Sequence, residues 1–206
     1  MRSHPQRYTM DINVLLFDGF ETLDAFGPVE MLSRMGKNPI TCCSLDGGPV
    51  RSSHKFEVLT VPISQTDPSA VLLIPGGMAT RKLAEDLAFL ARLREIAQQA
   101  EYVLTVCTGS ALLARTGLLD GRRATSNKRA FAWVKSTSDK VLWQSCARWV
   151  ADGKYYTASG VTAGIDMALG FLSDLYGPET SRTMAKNTEY LWNSDSGADP
   201  FAAEDH

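Results

Sequence analysis

The chain has 206 residues, 44% of them hydrophobic and 21% charged, with a formal net charge of −2; this is ordinary composition for a globular fold with enough length for one good core. So little charge exerts no global pull on nucleic acid or on an anionic membrane surface, and no apolar run is long enough to span a bilayer. The opening Met-Arg-Ser-His-Pro-Gln-Arg-Tyr-Thr lacks the apolar centre of a secretory signal, and the four cysteines form neither a C-x-x-C nor a disulfide framework, so a reducing, cytoplasmic location is expected.

Residues 1–10 are polar, contain Pro5 and read as a flexible tail. Ile12 to Phe17 is a buried strand, Asp18-Gly19 a turn, and Glu21 to Met35 a helix that should turn Leu23, Phe26, Met31 and Leu32 inward and stop at Gly36. Ile40 to Leu45 is a second strand holding Cys42 and Cys43, for which packing is the expected role. Asp46-Gly47-Gly48-Pro49 then leads into an extended excursion over residues 50–61. Ala70 to Ile74 is an all-apolar strand ending in Pro75-Gly76-Gly77, and the helix over residues 86–99 should place Leu87, Leu90 and Leu93 near one face.

Tyr102 to Val106 has the unbroken apolar character of a strand covered on both faces; it meets Cys107 and then a short helix that Gly117 closes. Arg123 to Thr125 is extended, residues 128–134 are helical, and residues 141–149 and 154–158 are strands joined through Asp152-Gly153. Cys146 falls in the first of these, so packing is expected of it too. Arg122, Arg123, Lys128 and Arg129 read as solvated loop charges. Thr162 should cap a helix with Ile165, Leu169, Leu172 and Tyr176 inward, and a last helix covers residues 179–192. Residues 193–206 form a polar tail that is mobile unless Phe201 anchors it. One domain over residues 11–192, built as a mostly parallel α/β sheet with helices on both faces, follows from this alternation of strand and helix.

In such a sheet the carboxyl ends of parallel strands share one edge, where ligands bind. The turn after the first strand, Gly76-Gly77 and Cys107 should meet there. Cys107 at a strand-to-helix turn suits a nucleophile elbow, with the helix end favouring the thiolate; a small buried hydrophobe is the alternative. Asp24 stands between Leu23 and Ala25-Phe26, where amphipathic spacing would not place a solvated acid, and burial beside a cysteine would raise its pKa and suit it to proton transfer. Backbone amides of Gly77 and Thr108 are candidates for stabilising developing negative charge. The histidines, His4, His54 and His206, are scattered, which disfavours Cys-His hydrolase chemistry and any Cys/His metal site. An addition without a leaving amine needs only the cysteine and the acid.

Leu23-Asp24 with Gly27-Pro28, Ile74-Pro75-Gly76-Gly77, Val106-Cys107-Thr108-Gly109-Ser110, the run from Gly117 to Thr125, and Gly160-Val161-Thr162-Ala163-Gly164-Ile165-Asp166 together resemble the ThiJ/PfpI superfamily over residues 11–192. Within it the likeness is to isonitrile hydratases and to the ligand-sensing domains of AraC-type regulators. The resemblance implies a flavodoxin-like three-layer sandwich, usually a homodimer, acting on a small molecule without a cofactor or a metal. It implies Cys107 as nucleophile and Asp24 as acid and base, with Gly76, Gly77, Thr108, Ser159 and Gly160 around the substrate. Two positions depart from the relatives: Ser126-Asn127 replaces their Thr-His pair, and Ser159 replaces a glycine. A redox or ligand sensor and a glyoxalase or deglycase acting on reactive carbonyls are the alternative readings.

Overall fold

The computed structural model describes residues 10–34 and 39–202, so the proposed helix stop at Gly36, both ends of the chain, His4 and His206 lie outside the described residues. In chain order the elements are β1 (Ile12–Leu15), α1 (Thr22–Leu32), β2 (Ile40–Ser44), β3 (Gly48–Arg51), β4 (Glu57–Pro62), β5 (Val71–Ile74), α2 (Thr80–Leu83), α3 (Leu87–Gln99), β6 (Val103–Val106), α4 (Gly109–Arg115), β7 (Arg123–Ala124), α5 (Phe131–Ser136), β8 (Leu142–Trp143), β9 (Trp149–Asp152), β10 (Tyr155–Ala158), α6 (Ala163–Tyr176) and α7 (Pro178–Asn187). Short 3-10 turns cover Ile63–Gln65 and Lys128–Ala130.

Eight strands form one sheet in the order β3-β4-β2-β1-β5-β6-β10-β9. The strands from β4 to β10 in that order pair in parallel, and β3 and β9 close the two ends antiparallel. β1, β5 and β6 are buried along their whole length, as all-apolar strands covered on both faces must be. Helices α1, α6 and α7 pack together on one side and α2 to α5 on the other, giving a flavodoxin-like three-layer sandwich. From β1 the chain steps outward to β2, and later from β5 to β6 in the opposite direction, so the strand order reverses between β1 and β5. The carboxyl ends of β1, β5 and β6 flank that reversal, the place where such sheets leave a crevice.

Several local expectations change. α1 turns Asp24, Ala25, Gly27, Pro28, Met31 and Leu32 inward, whereas Leu23 and Phe26 are exposed. The cause is close helix contact: a Cβ on Gly27 would lie 2.9 Å from Ile165, and one on Gly164 would lie 3.1 Å from Pro28, so α1 and α6 meet through small residues. Leu87 opens α3 and is exposed; Phe89, Leu90, Leu93 and Ala97 bury that helix, whose start is capped by Asp86 accepting from the Phe89 amide at 3.0 Å.

The expected strand over residues 141–149 is broken. Gln144 and Ala147 give their carbonyls to Thr125 Oγ1 instead of a neighbouring strand. Cys146 in this loop is exposed rather than packed, while Cys43 is buried. α7 ends at Asn187, and Tyr190 and Trp192 peel back onto Asp166. Beyond it, Ser196 O accepts the amides of Arg148 and Trp149, and Asp199 is buried, whereas Phe201 is 72% exposed. The contacts that tie residues 193–202 down are therefore polar. Among the described residues no helix is long and apolar enough to cross a membrane.

Candidate active site

β6 delivers Cys107 directly to the start of α4, and the turn is so sharp that Cys107 sits at φ 56°. A non-glycine residue there costs about 1–3 kcal/mol and persists only when its surroundings hold it. Three hydrogen bonds do so: its amide donates to Ser159 O at 2.9 Å, and its carbonyl accepts from Ser126 Oγ at 2.8 Å and Ser110 Oγ at 3.1 Å. Ser126 thus has a defined task behind the elbow.

Asp24 enters from α1 and is fully buried. Its Oδ2 accepts the Gly76 amide at 3.0 Å, and Oδ1 is buried without a hydrogen bond of ordinary geometry. Only glycine fits at position 76, because a Cβ would lie 2.6 Å from the Thr108 amide and 2.9 Å from Asp24 Oδ2. Burial pushes the Asp24 carboxyl up to about 7, and the charge of Glu21 adds to this; the Gly76 amide and the Cys107 thiol pull the other way with less effect.

The expected thiolate is not what this environment favours. Burial, followed by the charge of Asp24, pushes Cys107 up to about 12. The Thr108 amide and hydroxyl and the Val161 amide all favour the charged sulfur, but α4 is a single short helix whose end cannot outweigh desolvation. Burial thus favours the proton on sulfur, beside a carboxyl pushed up to about 7.

Thr108, Gly76 and Gly77 gather round the pair, with one change of role. The Gly77 amide donates to Thr108 Oγ1 at 3.1 Å, and Thr80 Oγ1 also reaches Thr108 Oγ1 at 2.9 Å, so Gly77 orients Thr108 instead of offering a free amide. Gly77, at φ 130°, sits with its Cα so close to Gly19 O that a Cβ would lie 2.5 Å away.

Ser159 and Gly160 follow β10, where Ser159 O holds the Cys107 amide. They line a cleft of about 390 Å³ with Asn127, Lys128, Val161, Thr162 and Phe201, which neither Cys107 nor Asp24 lines. Asn127 Oδ1 accepts the Ala130 amide at 3.1 Å, which is a cap and no proton-transfer role, and its Nδ2 fills the space a Gly160 side chain would need. His54, the histidine among the described residues, is exposed between β3 and β4, where it meets Thr22 Oγ1 at 2.9 Å.

Residues that sequence reasoning missed stand behind this turn. Val161 is held at φ 34°, rare for a β-branched residue, with its amide directed at the sulfur. Behind it Arg148, Asp166 and Asp199 are buried together, with Lys128 at 9% side-chain exposure, so Lys128 is no solvated loop charge. No local spacing announces this cluster, since its members are far apart in the chain.

A doubly wound α/β sandwich with a cysteine on a strained elbow and a buried acid facing it defines a superfamily of sheet-edge cysteine proteins. The chain belongs to the DJ-1/PfpI family, whose model matches residues 10–174. It is 34% identical over 182 residues to the isonitrile hydratase of Pseudomonas putida, covering 88% of this chain and 78% of that protein. It is also 29% identical over 181 residues to the HTH-type transcriptional regulator CdhR of Pseudomonas aeruginosa, of which the match spans only 52% while covering 83% of this chain. Among solved structures it resembles a ThiJ/PfpI family protein from Pseudomonas syringae, with a TM-score of 0.78 at 28% identity over 95% of this chain and 79% of that one.

Proposed function

We propose that the protein hydrates isonitriles to N-substituted formamides, with Cys107 as nucleophile and Asp24 as the group that moves protons. The observation that carries this reading is the burial of Cys107 beside a fully buried Asp24 that holds only the Gly76 amide, with no imidazole beside them among the described residues. Such a pair is suited to a reaction that adds a proton and a nucleophile to the same carbon. The kinship with an isonitrile hydratase supports the same reading.

The terminal carbon of an isonitrile accepts both. As Sγ attacks it, the thiol proton passes to the Asp24 carboxylate and then to that carbon, leaving an S-linked thioimidate with one C–S and one C–H bond formed. Asp24, again ionised, takes a proton from water as its oxygen adds to the same carbon. Asp24 passes that proton to the nitrogen, the C–S bond breaks as the new hydroxyl becomes the carbonyl, the hydroxyl proton goes to sulfur by way of Asp24, and the formamide departs. Thr108, fixed by Gly77 and Thr80, presents its amide and hydroxyl to the sulfur through both steps.

The chemistry requires one proton shared between the two groups. Below about pH 7 Asp24 carries a second proton, so kcat/KM should fall about tenfold per unit as the medium is acidified. Turnover of a panel of alkyl and aryl isonitriles, followed as formamide, tests the proposal. Cys107→Ala and Asp24→Asn should each lower the rate by at least about a thousandfold. No turnover by the wild-type protein across the panel overturns it. The redox-sensing reading needs a thiolate, which burial of Cys107 disfavours, and the deglycase reading lacks a proton-transferring side chain at Asn127.

A further inference from the structure

The molecule carries a second buried ionic assembly that the proposed chemistry leaves unused. Arg148, at the entry to β9, grips Asp166 Oδ2 with Nε at 2.9 Å and Nη2 at 2.8 Å. The same Nη2 reaches Thr162 Oγ1 at 3.3 Å, and Nη1 faces Asp199 Oδ1 at 3.5 Å. Asp166 Oδ1 in turn accepts from Tyr190 Oη at 2.9 Å and the Asn193 amide at 3.1 Å. Burying such charges costs desolvation that their attraction barely recovers, so stability alone is a weak reason for them.

What the assembly does reach is the turn beside the sulfur. The Arg148 carbonyl accepts the Ser159 amide at 2.8 Å, and the Ser159 carbonyl accepts the Cys107 amide at 2.9 Å. On the other side of the turn the guanidinium holds Thr162. Between these two points lies Val161, in its unfavourable positive-φ conformation, and the positive-φ Cys107 hangs from the same turn through Ser159 O. A backbone so strained relaxes unless both flanks are fixed.

We infer that Arg148 is a positioning residue, holding the 159–162 turn from both flanks so that Ser159 O keeps the Cys107 amide and the strained elbow beneath the sulfur stays in place. Asp166 and Asp199 serve by fixing the guanidinium. The inference rests on Cys107 being the reacting group. The charge that faces the sulfur is Asp24 from α1, with Glu21 beyond it, whereas Arg148 and Lys128 face Asp199. Arg148 therefore acts through the turn and not by its own field at the sulfur.

The test is alkylation of Cys107 by iodoacetamide in the full chain, quantified on the Cys107 peptide by mass spectrometry. Thr162→Val removes the acceptor for the guanidinium while keeping shape, and Arg148→Lys keeps the charge but loses the fork. Both should alkylate about threefold more slowly than wild type at each pH between about 7 and 10, because an elbow whose Ser159 flank is loosened holds the sulfur less firmly among the amides that favour the thiolate. Thr162→Ser should restore the wild-type rate. Tyr190→Phe removes a bond to Asp166 remote from the turn and should lower only the melting temperature. Coincident rates for Thr162→Val and wild type overturn the inference, as does equal slowing by Tyr190→Phe. Thr162→Val decides the matter if Arg148→Lys does not fold. Alkylation needs no isonitrile, so absence of formamide overturns the proposed reaction, and coincident alkylation rates overturn the role of Arg148.

Discussion

Asp24 and Asp166 are the same residue type, both fully buried, on two helices that pack against each other, yet their surroundings are opposite. Asp24 has one amide on one oxygen and an orphaned second oxygen. Asp166 receives a guanidinium twice, a phenol and an amide. Burial pushes both carboxyls upward, with Arg148, Tyr190 and the Asn193 amide pulling back at Asp166 and the Gly76 amide and Cys107 thiol at Asp24. What a buried acid does is thus decided by what it is denied: Asp24, left unpaired, is ready to exchange a proton, and Asp166, fully partnered, is a clasp.

The contrast is open to breaking from either side. The largest effect is expected from Arg148→Met, which strands Asp166 and Asp199 without a cation and should cost about 3–5 kcal/mol in urea unfolding. Next is Asp24→Asn, which should stabilise the protein while abolishing activity. Asp24 keeps its proton to about 7 when folded but loses it near 4 when unfolded. Wild-type stability therefore falls as pH rises through that window and levels off above it. Relative to wild type, Asp24→Asn should be more stable by up to about 4 kcal/mol at about pH 8 and equal at about pH 4. Equal stability at both pH values would remove the case for a buried, protonatable Asp24.

Gly76→Ala places a methyl against backbone and should cost about 2 kcal/mol, while displacing Asp24 enough to lower turnover by about a hundredfold. Calorimetry and formamide assays on one preparation read both effects. The smallest change is Tyr190→Phe, which removes one of several bonds to Asp166 and should cost about 1 kcal/mol. A cost as large as that of Arg148→Met would mean that the phenol, and not the guanidinium, carries the clasp.

Much of this was legible before the fold was known. Residues 12–15, 71–74 and 103–106 are unbroken apolar runs, and a sheet covered on both faces demands such runs. Asp24 was visible because it breaks the pattern of α1. The inward face of that helix was not visible, because it packs through Gly27 and Pro28 while pattern reading looks for large side chains such as Leu23 and Phe26. The state of the Cys107 thiol was misjudged for a related reason: the helix start is local and readable, but the burial that overrides it comes from the whole fold. Arg148 finds Asp166 18 residues away and Asp199 still further along, and charge pairs at such distances leave no periodic trace.

The carbonyl of Ser196 has a consequence beyond the site. β9 ends the sheet, and an end strand offers its unpaired amides and carbonyls as a template for foreign chains. Here Ser196 occupies the outward amides of Arg148 and Trp149, and the Arg123 guanidinium covers the outward carbonyl of Ala151 at 3.4 Å. Residues 193–202 are in this sense a selvedge that keeps the woven edge from fraying into a neighbour. Cut after Trp192, the chain would keep its cysteine and its acid but uncover the edge amides of Arg148 and Trp149, and its first failure should be aggregation.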